Sequence, residues 1–238
     1  MNYIPFAAPL FIGLLVLLVV VILLLELRVV QYAYEAIGIS RRFMFALLFL
    51  SFAGSYVNIA VARLPPEPVY SSRLVWVFGV PYVVPVVTGE HGTVLAVNVG
   101  GALIPLLLSV YLIAKNHLYA SGAFAVAIVT VAVHLMAHPV PGVGIVEPAF
   151  IPPVVAAAVA LLISRQHAGA LAYVAGSLGT LIGADLLNLN QIRGLGAPIA
   201  AIGGAGKFDG IFLTGLLAVL LASLVRRRHD NRNWRSSG

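Results

Sequence analysis

Apolar residues run along this chain in blocks of roughly twenty, the length that crosses the hydrocarbon core of a bilayer, and polar residues gather in the short gaps between them. Seven such blocks predict seven transmembrane helices, over 5–25, 43–62, 93–113, 118–137, 150–164, 168–189 and 207–225. The first has no positive flank of the kind that opens a signal peptide and is read as a retained helix. Between the first two blocks, 26–42 is more polar, with Arg28, Gln31, Glu35, Arg41 and Arg42, and predicts a short amphipathic helix at the interface. Pro65, Pro66 and Pro68 end the second block. The stretch 74–87, LVWVFGVPYVVPVV, is rich in Val and aromatics and broken at Gly79, Pro81 and Pro85, which suits a β-hairpin. Heptads and ten-residue alternating strands are both missing, so the pattern favours a helical bundle over a barrel. The expected architecture is an all-α integral membrane protein of about seven transmembrane helices with a small extracytoplasmic β-hairpin. Residues 1–225 form one membrane domain, 63–92 its hairpin loop, and 226–238 a basic cytoplasmic tail.

Composition agrees. Hydrophobic residues make up 61% of the 238 and charged residues 9%, against about 25% charged in soluble domains. With no cysteine, disulfides and Cys-ligated metal centres are excluded. The net charge of +6 does not point to nucleic acid, because the basic residues sit in short loops and in the tail. One set of loops holds Arg28, Arg41, Arg42, Lys115, Arg165, Arg226, Arg227, Arg228, Arg232 and Arg235; the other holds Arg63, Arg73, Arg193 and Lys207. Ten against four places the C-terminus in the cytoplasm and the N-terminus outside the cell (inner) membrane.

With that orientation the polar residues of the spans collect at the outer side. Asn58 ends the second span and Asn98 begins the third, His134 and His138 end the fourth, Asp185 and Asn188 end the sixth, and Asp209 begins the seventh. The hairpin loop is placed above them as a lid. Ionisable groups at membrane depth are functional candidates by default. Asp185 and Asp209 are the proposed catalytic pair, one carboxyl acting as base towards water and the other as acid. The blander reading of Asp209 is a first-turn carboxylate stabilised by its helix dipole, beside Lys207. That of Asp185 is a buried carboxyl hydrogen-bonded to a neighbouring helix. Gly176, Gly179 and Gly183 share one helical face and permit close packing, and Asp185 points away from that seam.

The binding candidates are Asn98, His134, His138, Asn188, Gly204, Gly206 and Lys207. The glycine-rich 203–206 can cradle an anion at the start of the seventh span or simply let helices pass closely. His134, His138, Glu147, Asp185 and Asp209 offer metal-ligand chemistry, but no Glu adjoins His134 and the zincin pattern is missing. One packed and one interfacial histidine is the favoured reading, with no metal and no cofactor. An ion- or proton-coupled transporter, with Asn98, Asp185 and Asp209 around a cation, is the alternative to an enzyme. A non-catalytic membrane assembly factor is a third. The partners expected are the lipid bilayer and, for an enzyme, a membrane-protein or peptide substrate. Oligomeric state is not legible.

Four separated pieces, AVNVGGALIPLLLSVYL, HPVPGVGIVEPAFIPPVVAA, GTLIGADLLNL and GGAGKFDGIFLTG, together resemble a bacterial and archaeal family of multi-pass membrane proteins built on a domain of unknown function. The resemblance covers roughly 69–225 and implies no activity. Over about forty residues the chain also resembles the intramembrane aspartyl proteases of the presenilin and signal-peptide-peptidase type. Asp185 matches their first catalytic aspartate and Asp209 their second. The chain departs from that pattern in three places. Ala184 stands where the group has tyrosine, Lys207 and Phe208 separate the Gly-x-Gly from Asp209, and no Pro-Ala-Leu follows.

Overall fold

The fold is described from a computed structural model, over residues 27–65, 67–77, 80–140, 144–148, 150–191, 199–204 and 210–236. The first predicted span, 5–25, lies outside the described residues, as do Gly206, Lys207 and Asp209.

The structure is mostly helical. A helix over Leu27–Ala36 (α1) turns through 114° into Arg41–Gly54 (α2), the bend occurring at Gly38, whose φ of +77° is open to glycine at no steric cost. Then follow α3 (Ile104–Asn116), α4 (Tyr119–Met136), α5 (Ile151–Ile163), α6 (Ala168–Thr180) and α7 (Gly210–Ser236). Two turns of π-helix extend this set, Val99–Leu103 leading into α3 and Leu181–Leu186 following α6. Among the described residues three helices are long and apolar enough to cross a membrane, Val99–Asn116, Tyr119–Met136 and Ala168–Gln191. The bent α1–α2 pair makes a fourth if it counts as one span. α5, with 13 residues, and the apolar part of α7, Ile211–Val225, are shorter. At 1.5 Å per residue α5 is only about 20 Å long.

The packing is that of a protein in lipid. α6 is the hub: every residue of Ala168–Thr180 except Leu178 is buried, among α3, α4, α5 and α7. Apart from Leu171, Tyr173 and Val174, its buried residues are Ala, Gly, Ser and Thr, which let backbones approach. Large apolar side chains point outward instead, Phe49 70% exposed, Leu135 73%, Phe150 77% and Leu162 86%, a distribution that water would penalise and lipid does not. The glycine seam divides between two neighbours. Gly179 and Gly183 abut α4, where a Cβ would lie 2.5 Å from Val129 Cγ1 and 2.6 Å from Thr130 O respectively, whereas Gly176 abuts Thr214, Gly215 and Ala218 of α7.

Strands depart most from expectation. The predicted second span ends eight residues early: α2 stops at Gly54, and Asn58–Arg63 is β1. The predicted third span likewise opens as strand, Val94–Asn98 (β4), before its π turn. β4 is the centre of a three-stranded sheet, antiparallel to β1 (Asn58↔Asn98, Arg63↔Val94) and parallel to β7, Ile199–Ile202 (Val94↔Ile199, Val97↔Ile202). The physical reason is the pairing: NIAVAR and VLAVN are short apolar runs with β-branched Ile and Val that satisfy one another's backbone groups across the β1–β4 ladder. After the second π turn the chain makes the 3₁₀ turn Leu189–Gln191 and then enters β7 after 192–198, which lie outside the described residues.

The hairpin forms. β2 (Glu67–Val77) pairs with β3 (Val80–His91) in register from Glu67↔His91 to Val77↔Val80. It continues the β1–β4 ladder, because Leu64 N–H donates to Thr93 O at 2.8 Å between them. The eleven residues of β2 reach about 35 Å at a strand's rise. A second, shorter hairpin, β5 (His138–Val140) with β6 (Gly144–Val146), joins α4 to α5. At the other end of the chain α7 continues as helix to Ser236, through most of what was expected to be a polar tail.

Candidate functional site

The site is built where the two π turns meet the end of β7. A π turn is wider than an α turn and leaves carbonyls without their usual partners. On α6 those carbonyls are taken by Asn188. Its Nδ2 donates to Gly183 O and Ala184 O, both at 2.9 Å, and its Oδ1 accepts from Gln191 Nε2 at 2.9 Å. Asn188 is 1% exposed, so the amide holds the widened turn in place. On α3 the corresponding residue is Asn98, fully buried. Its Oδ1 accepts from Gly101 N at 2.8 Å, and its Nδ2 donates to Ser55 O at 2.7 Å and Asn58 Oδ1 at 3.0 Å. Both asparagines therefore spend their hydrogen-bonding capacity on the protein. α2 packs against the α3 turn backbone to backbone: a Cβ at Gly100 would collide with Ser51 O, and one at Gly54 would lie 3.0 Å from Gly100 N.

Between the π turns sits the reversal after β7. Gly203 and Gly204 both have φ of +83°. A Cβ on Gly203 would fall 2.6 Å from Ala102 N, so the turn is pressed against the α3 π turn and needs glycine for space as well as for conformation. Its free N–H points the other way, and Gly203 N donates to Asp185 Oδ2 at 2.7 Å. Of the glycine-rich loop expected to cradle an anion, the described residues contribute one N–H, that of Gly203, to the chain's own Asp185 carboxyl; Gly206 lies outside them. The carboxylate reaches a loop backbone, and not a neighbouring helix as the bland reading expects.

Glu147 lies within electrostatic reach of Asp185. It follows β6, which rests against the α6 π turn. Its Oε2 is buried and has no hydrogen-bond partner among the described residues. Burial raises the Glu147 carboxyl from its ordinary value to about 7, and the negative charge of Asp185 pushes the same way. Two carboxyls on different elements therefore share one end of the bundle.

His134, half-buried near the end of α4, meets the same turn. Its Nδ1 lies 3.3 Å from Gly183 O and 3.3 Å from Asn188 Nδ2. A proton on Nδ1 can go to the carbonyl, and a lone pair there can accept from the amide. His138 is on β5, paired with Val146, and exposed. α4 ends at Met136, so the two histidines do not share a helical face. Among the described residues no three acidic, His or Cys groups are gathered closely enough to hold a metal ion.

Of the sequence candidates, then, Asp185, His134, Asn188 and Gly204 come together, with Asn98 behind them across the Gly203 turn. His138 is exposed and lies opposite Val146, one residue before Glu147. Glu147 is the residue whose weight the sequence understated: it appears there as one of five possible metal ligands and emerges as Asp185's carboxyl neighbour. The signal was an acidic residue alone within the apolar run GIVEPAF.

No match was found among curated proteins or among solved structures. A family profile, described as "Protein of unknown function (DUF1614)", matches residues 52–221, a span that holds β1 to β7, both π turns, Glu147 and Asp185. The chain belongs to the DUF1614 family.

Proposed function

We propose that this chain is a polytopic membrane protein that binds a proton or small cation between Glu147 and Asp185 and couples that binding to transport. The observation that carries the reading is the buried Oε2 of Glu147, without a partner among the described residues and next to a second carboxyl. Two neighbouring carboxylates in a poorly solvated place cannot both stay charged and bare; a shared proton or a bound cation relieves them. A buried polar side of α6 supports the same reading. Thr180, Ser177 and Tyr173 follow one another inward from Asp185 at spacings of three and four residues, all fully buried in an otherwise apolar bundle. Their oxygens have no hydrogen-bond partner among the described residues, so, like Glu147 Oε2, they are buried polar atoms that a proton or a cation can engage. In this reading the chain crosses the membrane seven times, with the C-terminus cytoplasmic and the carboxyls towards the outer side, as the Lys/Arg distribution directs.

The test is flux into proteoliposomes. Wild-type protein should dissipate an imposed proton or sodium gradient, and Glu147→Gln and Asp185→Asn should each abolish this while eluting as folded protein. The same preparations, offered a single-span reporter peptide, distinguish the hydrolytic alternative. Cleavage lost in Asp185→Asn, without any flux in wild type, would replace transport by proteolysis.

A further inference from the structure

At the opposite, arginine- and lysine-rich end, two cavities adjoin at one residue. The larger, about 550 Å³, is an apolar groove between α2 and α3, lined chiefly by Phe43, Leu47, Leu50, Leu107, Leu108 and Tyr111. It has the volume of a small-molecule pocket, runs about 10 Å along α3, and opens on the lipid-facing surface, Phe43 being 70% and Leu107 60% exposed. The smaller, about 240 Å³, is polar and includes Glu35, Lys115, Asn116 and His167. Gly38 lines both. Lys115 stands at the junction: its Nζ donates to Gly38 O at 2.8 Å and lies 5.4 Å from the centre of the Tyr111 ring. One of its three N–H bonds is thereby used, and the ammonium keeps the capacity to bind an anion. A Cβ on Gly38 would lie 3.3 Å from that Nζ, so the glycine preserves the junction.

On the α2 side, Ser40 lines the groove and makes no side-chain cap to its own helix. Arg41 and Arg42 follow it, and no acidic residue occupies the first turn. Positive charge thus flanks the place where the apolar groove gives way to the polar pocket.

We infer that this pair of cavities binds one phospholipid, an acyl chain in the α2–α3 groove and the phosphate at Lys115. The charge complementarity and the order of the two cavities carry the assignment. An amphiphile with an anionic linkage between tail and head fits both at once, whereas a peptide or a second copy of the chain would leave the polar pocket unfilled. Basic sites between membrane helices at the headgroup level are suited to such lipids. Glu35 also lines the smaller cavity; its Oε1 accepts from Gln31 Nε2 at 2.6 Å, and its other oxygen can receive the ammonium of an ethanolamine head, so phosphatidylethanolamine is the probe of choice. The site is at the other end of the bundle from Glu147 and Asp185 and does not depend on their role.

The experiment is native mass spectrometry of the full-length protein exchanged into micelles holding equal amounts of phosphatidylethanolamine and diacylglycerol. Wild type should retain the phospholipid about 10-fold over the phosphate-free lipid, the size expected of a charge-assisted hydrogen bond. Lys115→Gln should erase that preference. Leu107→Trp, a change on an exposed groove wall that the fold tolerates, should fill the groove and release both lipids. Equal retention of the two lipids by wild type, or an undiminished preference in Lys115→Gln, would overturn the assignment. So would displacement of nothing by Leu107→Trp, or a lipid-free dimer sealed through the groove. Inorganic phosphate that binds wild type and Leu107→Trp alike would show a free-anion site and overturn the lipid assignment as well.

Discussion

The backbone N–H of Gly203 donates to Asp185 Oδ2 at 2.7 Å, across eighteen residues of chain. Through this bond β7 is tied to the widened end of α6. β7 is in turn paired with β4, and β4 carries the long β2–β3 ribbon. A displacement of the ribbon would therefore be felt at Asp185.

Gly203→Ala tests that link. Alanine at φ +83° is strained by about 1–2 kcal/mol, and its Cβ would fall 2.6 Å from Ala102 N, which adds an overpacking term of about 1–3 kcal/mol. The expected outcome is a loss of several degrees in thermal unfolding midpoint in detergent. Gly204→Ala carries the same φ strain and should also lower the midpoint, by about 1–2 kcal/mol of stability.

Asn188→Ala removes the amide from Gly183 O and Ala184 O. Two buried carbonyls left bare cost about 1–3 kcal/mol each in the extreme, though a π turn can relax towards an α turn and recover part of it. A drop in unfolding midpoint is expected, with altered hydrogen exchange confined to 181–188. Unchanged exchange there would contradict a capping role.

Stability should depend on pH through Glu147. Its folded value, about 7, lies above the ordinary 4.5, so the folded state holds the proton more tightly than the unfolded chain. Its unfavourable contribution is absent below about pH 4.5, grows as pH rises to about 7, and is constant above. Glu147→Gln should thus raise the unfolding midpoint at pH 8 and hardly change it at pH 4. Allowing for partial solvent screening, the gain is on the order of 2 kcal/mol.

Orientation has its own test. The ten-to-four distribution of Lys and Arg predicts that a reporter fused after Gly238 reads cytoplasm. An extracytoplasmic signal would invert the side on which Glu147 and Asp185 open.

The helices that bury one face and show lipid the other were legible. α4 and α5 begin and end within a residue of the apolar blocks, and the buried α6 starts where its block does and, with the π and 3₁₀ turns after it, runs to Gln191, because turns at Lys115–His117 and Arg165–His167 interrupt the chain sharply. The ribbon was legible too, from Val and aromatic density around Gly79. β1 and β7 were not. NIAVAR and IAAI continue apolar runs, and nothing in four to six residues separates a strand from a helix end; only the pairing with β4 decides it. The π turns were equally hidden: Gly183 reads as a packing glycine, and no residue in 99–103 or 181–186 marks a π turn over an α turn. Asp185 was recognisable as a buried acid by its isolation in sequence. Its neighbour was not, because Glu147 reaches it from a different element, 38 positions earlier, through a hairpin that the Pro-Gly-rich linker conceals.

The central claim is that Glu147 and Asp185 act as one proton- or cation-binding pair. The most direct measurement is an infrared titration of the purified protein from pH 5 to pH 9, following the stretch of protonated carboxyl groups in wild type and in Glu147→Gln. We expect a band that fades with a midpoint near 7 in wild type, is missing in Glu147→Gln, and shifts to lower pH in Asp185→Asn, where the neighbouring charge is gone. A wild-type spectrum with no such band, or one that persists unchanged in Glu147→Gln, would contradict the pairing.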